Sequence, residues 1–228
     1  MADTSTTTTT KISQSALQRA EKSRVIIVLE NASLETVKTK HGFELTNVDA
    51  HKGILRKHKR DPSLYRPDIL HQCLLTLLDS PLNKSGLLLI YIHTRNNVLI
   101  EVNPQIRIPR TFKRFCGLMV QLLHKFSIRG SDGGPKLLKI VKNPVTKYFP
   151  PNCRKFGTSV TGELQQLREF IPQLPTNEPV VWVVGTQAHG VADVDYTEKS
   201  VSISSYPLSA ACALGRICHE YEQFLDIL

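Results

Sequence analysis

Residues 180–210 read VVWVVGTQAHGVADVDYTEKSVSISSYPLSA, two apolar runs of β type alternating with two loops of small residues. The first run, Val180 to Val184, is apolar at every position, the pattern of a strand covered on both faces. It stops at Gly185, and Gly190 closes the short loop GTQAHG. Glycine at both ends lets the backbone take positive φ, or lets a ligand approach the amides without a Cβ in the way. The loop is neither GxGxxG nor a Walker loop, because no Gly-Lys-Ser/Thr follows. A plain turn at a strand end and a ligand-holding loop both fit these residues. The second run, Val201-Ser-Ile-Ser-Ser205, alternates as a half-buried strand does, and Pro207 is expected to fix the entry to a last amphipathic helix over residues 208–228.

Upstream, RVIIVLE (24–30) predicts a buried first strand, and Asn31 to Ser33 a turn capping a short helix through Lys38. The charge-dense HKGILRKHKR (51–60) fits a solvated loop or helix face as well as contact with a polyanion. Arg66-Pro67-Asp68 opens a helix to about Ser80. Pro67 suits its first turn and Asp68 its positive end. Arg66 lies two residues from Asp68, close enough for the carboxylate to brace the guanidinium. Leu87 to Thr94 and Val98 to Val102 read as a hairpin or two successive strands. Thr111 is placed to N-cap a core helix marked by Phe112, Phe115, Met119, Leu122, Leu123 and Phe126. Lys136 to Lys142 predicts a strand, residues 150–157 irregular chain, and Glu163 to Phe170 a helix.

The charge on the Thr111 helix runs against its dipole. Arg110, Lys113 and Arg114 crowd the N-terminal end, where each cation opposes the helix by roughly 0.3–1 kcal/mol. A phosphate would reverse that penalty by accepting from the guanidinium forks and the free helix amides. The net charge of +9 is uneven as well. Residues 1–188 hold 27 lysines and arginines against 14 acidic residues, and residues 189–228 hold 2 against 6. A basic body beside an acidic end fits a polyanion on one surface and a cofactor or another subunit on the other.

Five cysteines, Cys73, Cys116, Cys153, Cys212 and Cys218, are widely spaced without a CxxC pair, so reduced thiols are expected and no metal site. There is no HExxH and no GxSxG, and His189 alone does not make a catalytic base. No run has the length of a membrane span. Residues 1–23, polar and carrying Thr6 to Thr10, read as a disordered tail before a single domain over 24–228.

The segments VVWVVGTQAHG, YTEKSVSISSYPLSA, RPDILHQ, NVLIEVNPQIRIPRTFKRFCGLMVQLLHK and KNPV resemble the SPOUT-class, or trefoil-knot, methyltransferases of small-subunit ribosomal RNA. More narrowly they resemble the eukaryotic type of the pseudouridine N1-methyltransferase family, from about Arg24 to the C-terminus. The resemblance implies a mostly parallel α/β sheet with helices on both faces, a C-terminal trefoil knot and a family-specific insertion. Basic RNA-binding elements would lie within about 50–127 and a cofactor-binding knot over about 155–228. It implies S-adenosyl-L-methionine as cofactor, held by Thr158, Gly185, Gly190, Ile203, Ser204, Ser205, Tyr206, Pro207 and Leu208. Arg66, Arg107, Arg110 and Arg114 would contact RNA, with Asp68 orienting Arg66. A homodimer, ribosome assembly factors as partners and a nucleolar location are further implications. No catalytic residue follows from it, and a non-catalytic RNA-binding assembly factor of the same fold remains the alternative.

Overall fold

The computed structural model describes residues 25–131, 133–175, 178–192 and 194–227. The expected tail over 1–23, and Arg24 at the head of the first strand, lie outside the described residues. The apolar runs form an eight-stranded sheet in the order β10-β8-β9-β1-β4-β5-β7-β6. Its strands are β1 (Val25–Ala32), β4 (Leu88–Thr94), β5 (Leu99–Val102), β6 (Ser127–Arg129), β7 (Lys136–Val141), β8 (Arg154–Leu164), β9 (Val180–Gly185) and β10 (Lys199–Ser202). Five neighbours, β10 through β4, run parallel, and β5, β7 and β6 complete the sheet antiparallel.

The centre lies at β1 and β9, whose side chains divide between two cores. Val25, Ile27 and Leu29 of β1, with Val180, Trp182 and Val184 of β9, enter the larger cluster. Ile26 and Val28, with Val181 and Val183, enter the smaller one on the other face. That division is why both sequences lack polar alternation.

Helices α2 (Pro67–Asp79), α4 (Phe112–Lys125) and α6 (Ala210–Phe224) cover the larger cluster. In α2, Leu70, Cys73, Leu74, Leu77 and Leu78 recur at the spacing of one helical face and are buried. Helix α6 docks beside α2 through Leu214, Ile217 and Cys218. At its far end the Trp182 indole N–H donates to the Tyr221 hydroxyl at 3.1 Å. The smaller cluster is covered by a 3-10 turn at Val145–Tyr148 and by Val194 and Tyr196, so the long helices gather on one face.

Several expectations are corrected. Asn31 to Ser33 does not cap a helix: β1 runs through Ala32, and Thr36–Thr39 (β2) pairs antiparallel with Gly42–Leu45 (β3). Alternation in TVKT suits a hairpin, and Asn47 caps helix α1 (Val48–Lys57) by accepting from the Ala50 N–H. Strand β8 takes in Gly157, expected to be irregular, and Glu163, expected to be helical, because pairing with β10 holds that chain extended. Only the short turn α5 (Leu167–Phe170) is helical there. Thr111 stands at the N-cap of α4 without a capping hydrogen bond. Phe126 is a left-handed C-cap, 65% exposed, and not a core residue. Pro207 precedes α6 by three residues, and the cap is Ser209, whose hydroxyl accepts from the Cys212 N–H.

Candidate cofactor cavity and nucleic-acid face

Three pieces of chain meet beyond the C-terminal ends of β8 and β9, where open α/β sheets bind ligands. The first is a bulge in β8. Between the successive β10 residues Ser200 and Val201, the partner on β8 moves from Gly157 to Glu163, so Thr158–Gly162 leave the ladder. Gly162 closes the bulge, and a Cβ there would stand 2.8 Å from the backbone of Ser200 and Val201. Thr158 anchors its start by donating from Oγ1 to the Val183 carbonyl at 3.1 Å. The second piece is the loop after β9, where Gly190 takes a φ of +87° and the Gln187 amide donates to the Val191 carbonyl. The third runs from Ser202 to Ser209. The Ser202 hydroxyl donates to the Ser204 carbonyl, and Ser204 Oγ accepts from the Tyr206 N–H, which bends the chain toward the cap of α6.

Together they line a cavity of about 700 Å³. Of the residues expected to hold a cofactor, Thr158, Gly185, Gly190, Ile203, Ser204, Tyr206, Pro207 and Leu208 line it, and the exposed Ser205 does not. Sequence reasoning missed the rest of the bulge, Ser159 to Thr161, and the contribution of α2 through Ile69 and Gln72. The bulge left no signal, since it arises from pairing with a strand some forty residues later.

Arg66 also opens onto this cavity. Its Nε donates to Asp68 Oδ1 at 2.9 Å and its Nη2 to Oδ2 at 2.7 Å, a fork-to-fork pair that fixes the guanidinium plane. The Asp68 bond raises the Arg66 pKa above its ordinary value, and partial burial opposes the rise. Asp68 stands in the first turn of α2, so it complements the helix dipole and braces Arg66 at once.

The other expected arginines lie elsewhere. Arg110 donates from Nη2 to Asp79 Oδ2 at 2.8 Å, at the opposite end of α2 from Arg66. The thirteen residues of that helix span about 20 Å. Arg107 and Arg114 are exposed, and among the described residues neither side chain has a hydrogen-bond or ion-pair partner. This basic segment is positioned by a residue the sequence did not single out. His71, buried on α2, places Nε2 2.7 Å from the Pro109 carbonyl while its ring stacks on Phe115 at 4.5 Å. The carbonyl can only accept, so Nε2 carries the proton.

Buried thiols offer no alternative chemistry. Burial pushes Cys73 and Cys218 up to about 12, far from the thiolate form. Among the described residues no three histidine, cysteine or acidic side chains gather as a metal site. None of the described helices is long and apolar enough to cross a membrane.

The cavity dimensions suit a small molecule of nucleoside size. Its walls combine small side chains with the main chain of Leu208, whose N–H and carbonyl have no partner among the described residues. Such a wall can read the edge of a heterocycle without charged side chains.

Comparison with known proteins gives this arrangement relatives. The family described as EMG1/NEP1 methyltransferase matches residues 27–222. The chain is similar to the ribosomal RNA small subunit methyltransferase NEP1 of Mus musculus, 55% identical over 227 residues, covering 99% of this chain and 92% of the relative. It is similar to the protein of the same name in Homo sapiens, 57% identical over 206 residues, covering 90% and 83%. Among solved structures, Archaeoglobus fulgidus Nep1 bound to S-adenosylhomocysteine superposes with a TM-score of 0.63 at 24% identity, covering 90% of this chain and 99% of the archaeal one. With this fold, this cavity and likeness along nearly its whole length, the chain belongs to the EMG1/NEP1 methyltransferase family.

Proposed function

We propose that this chain methylates N1 of a pseudouridine in small-subunit ribosomal RNA, with S-adenosyl-L-methionine as methyl donor, during small-subunit assembly. The observation that carries the reading is the opening of the braced Arg66 guanidinium onto the same cavity as the GTQAHG loop and the SSYPLSA segment. The Arg66 donors that Asp68 does not engage would thereby be held beside a nucleoside-sized pocket, where they could take a phosphate. The names of the mammalian relatives, and the S-adenosylhomocysteine in the archaeal one, support the same chemistry.

When bound, S-adenosylmethionine supplies a methyl carbon with its leaving group already in place. The protein's task is then alignment. The main chain at Leu208 and along Ile203–Ser204 would hold the adenine, and Thr158, Gly185 and Gly190 would leave room for the remainder. Arg66 would hold a phosphate beside the extruded base, so that the nucleophilic nitrogen enters the cavity in line. Ile69, Val160 and Val191 add apolar side chains to the cavity wall, which a bound cofactor would cover.

Arg66 and Arg110 lie about one helix length apart, which supports a binding face shared between two copies of the chain. In a homodimer, Arg107, Arg110 and Arg114 of one subunit would serve RNA entering the other's cavity. The reading extends to residues 24–228 as one domain with a knotted C-terminal segment over about 155–228, to ribosome assembly factors as partners and to a nucleolar site of action.

The test is incubation with labelled S-adenosylmethionine and two RNA hairpins that differ only in a loop uridine or pseudouridine, followed by nucleoside analysis. Label on N1 of pseudouridine alone is expected. Tight binding of both RNAs and of the cofactor without transfer would replace the enzyme by an RNA-binding assembly factor.

A further inference from the structure

The loop that walls the cavity is closed on one residue from behind. Glu30 ends the unbroken run of six buried residues that opens β1, paired in register with Gly185, and its carboxylate side chain is only 4% exposed. Its main-chain carbonyl accepts from both the N–H and the hydroxyl of Thr186, each at 2.8 Å, at the start of the loop. Its side chain accepts from the Tyr196 hydroxyl through Oε1 at 2.8 Å, near the loop's end. Both ends of the segment carrying Gln187 to Ala192 therefore meet at Glu30, on the face of the sheet turned away from the cavity.

A second layer holds Glu30 itself. His93 Nδ1 on β4 lies 2.8 Å from Glu30 Oε2, and His93 Nε2 lies 2.9 Å from Asn97 Oδ1. The Asn143 amide donates to both the Asn97 carbonyl and Asn97 Oδ1, which fixes Asn143 as donor and Asn97 Oδ1 as acceptor. Nε2 must then carry a proton. With Nδ1 facing a carboxylate, the imidazolium is the form that satisfies both ends. The titratable groups around the carboxylate are His93 from β4, and Tyr196 with its neighbour Asp195 from the loop. No other buried carboxylate among the described residues joins two ends of a loop in this way.

We infer that Glu30, Tyr196 and His93 form a strut that sets the position of the Thr186–Ala192 loop through the sheet, and thereby sets the affinity of the cavity for its cofactor. Glu30 is a positioning residue here, since it touches the loop and not the ligand. The inference rests on the placement of the cofactor in this cavity proposed above. It also implies a pH response. The Glu30 hydrogen bond raises the His93 pKa, against an opposing effect of burial. When His93 loses its proton at higher pH, it can keep its bond to Glu30 or its bond to Asn97 but not both.

The experiment is calorimetric titration of S-adenosylhomocysteine into wild type, Y196F, H93Q and L208R at pH 6 and pH 8.5, with melting curves for each. Y196F removes one hydroxyl and is expected to weaken binding about tenfold while still melting cooperatively. The wild type is expected to lose affinity between the two pH values beyond any loss in H93Q, whose non-titrating side chain cancels the ligand's own titration. Either Y196F within twofold of wild type or parallel wild-type and H93Q profiles overturns the strut. Should Y196F fail to fold, the H93Q profile alone decides, parallel profiles again overturning it. L208R separates this from the underlying placement: undiminished binding by L208R refutes the cavity as the cofactor site. Loss in L208R with no change in Y196F refutes only the strut.

Discussion

Replacing Gly162 with alanine puts a methyl carbon 2.8 Å from the carbonyl carbon and oxygen of Ser200 and from the carbonyl carbon of Val201. These are main-chain atoms of the neighbouring strand, so no rotamer change relieves the overlap. To reach even the close edge of ordinary contact, β8 or β10 must move by several tenths of an ångström, and such overpacking costs about 1–3 kcal/mol. For a chain of this length each kcal/mol corresponds to about 2–4 °C in Tm. Gly157 provides the control on the same strand. A Cβ there meets only ordinary contacts, the nearest 3.7 Å away at the Thr197 hydroxyl. Both substitutions lower the entropy of the unfolded chain by a similar amount, so their difference isolates the clash. Urea unfolding of G162A and G157A is the assay. G162A is expected to be less stable by about 1–3 kcal/mol with an unchanged slope, and to bind S-adenosylhomocysteine more weakly because the bulge walls the cavity. Equal stabilities for the two variants would refute the argument that Gly162 is required by the approach of β10.

Other expectations follow from the same geometry. If Arg66, Arg107, Arg110 and Arg114 each meet a phosphate on single-stranded RNA, log affinity against log salt has a slope near ~−3, and R107A or R114A each lowers its magnitude by about 0.7. A flat salt dependence measured by fluorescence anisotropy would remove the basic face from the reading. D68A leaves the Arg66 guanidinium unbraced and is expected to weaken RNA binding about tenfold, close to 1.4 kcal/mol, with cofactor affinity unchanged in calorimetry. Y221F leaves the fully buried Trp182 indole N–H without its acceptor and is expected to cost about 1–3 kcal/mol in urea unfolding. The folded-state pKa of His93 is raised above its ordinary 6.5, so its contribution to stability is complete below pH 6.5 and is lost as pH rises through the raised value. Unfolding free energies across that window should fall for wild type and stay level by comparison in H93Q.

The sequence carried the central strands most clearly. Val180–Val184 and the run into Glu30 are apolar at successive positions because both faces of those strands are buried, and their short length and β-branched composition separate them from a buried helix. The cavity was legible where it is built from contiguous chain, at Gly185, Gly190, Ile203, Ser204 and Tyr206 to Leu208, though Ser205 in the same stretch stays outside it. It was opaque where it depends on chain brought from afar. Glu163 and Leu164 satisfy a helical pattern locally, yet pair with Val201 and Ser202, and the sheet overrides the local preference. Glu30, His93 and Tyr196 are separated by 63 and 166 positions, and nothing in their neighbours announces that they share one carboxylate. Phe126 falls in step with the apolar face of α4, but the helix ends one residue earlier and the left-handed cap turns the ring outward.

The position of β1 has a consequence for how the chain is made. Its first residue pairs with Leu88 on one side and with Val180 on the other, and the second partner is synthesised 155 residues later. At about 5–20 residues per second, the strand that becomes the middle of the sheet spends roughly 8–30 s as an apolar edge on the ribosome. During that interval its native partner on the β9 side does not yet exist. A nascent chain stalled before Pro179 would therefore present an unpaired row of backbone N–H and C=O groups on a largely apolar strand, the kind of edge through which arrested fragments aggregate.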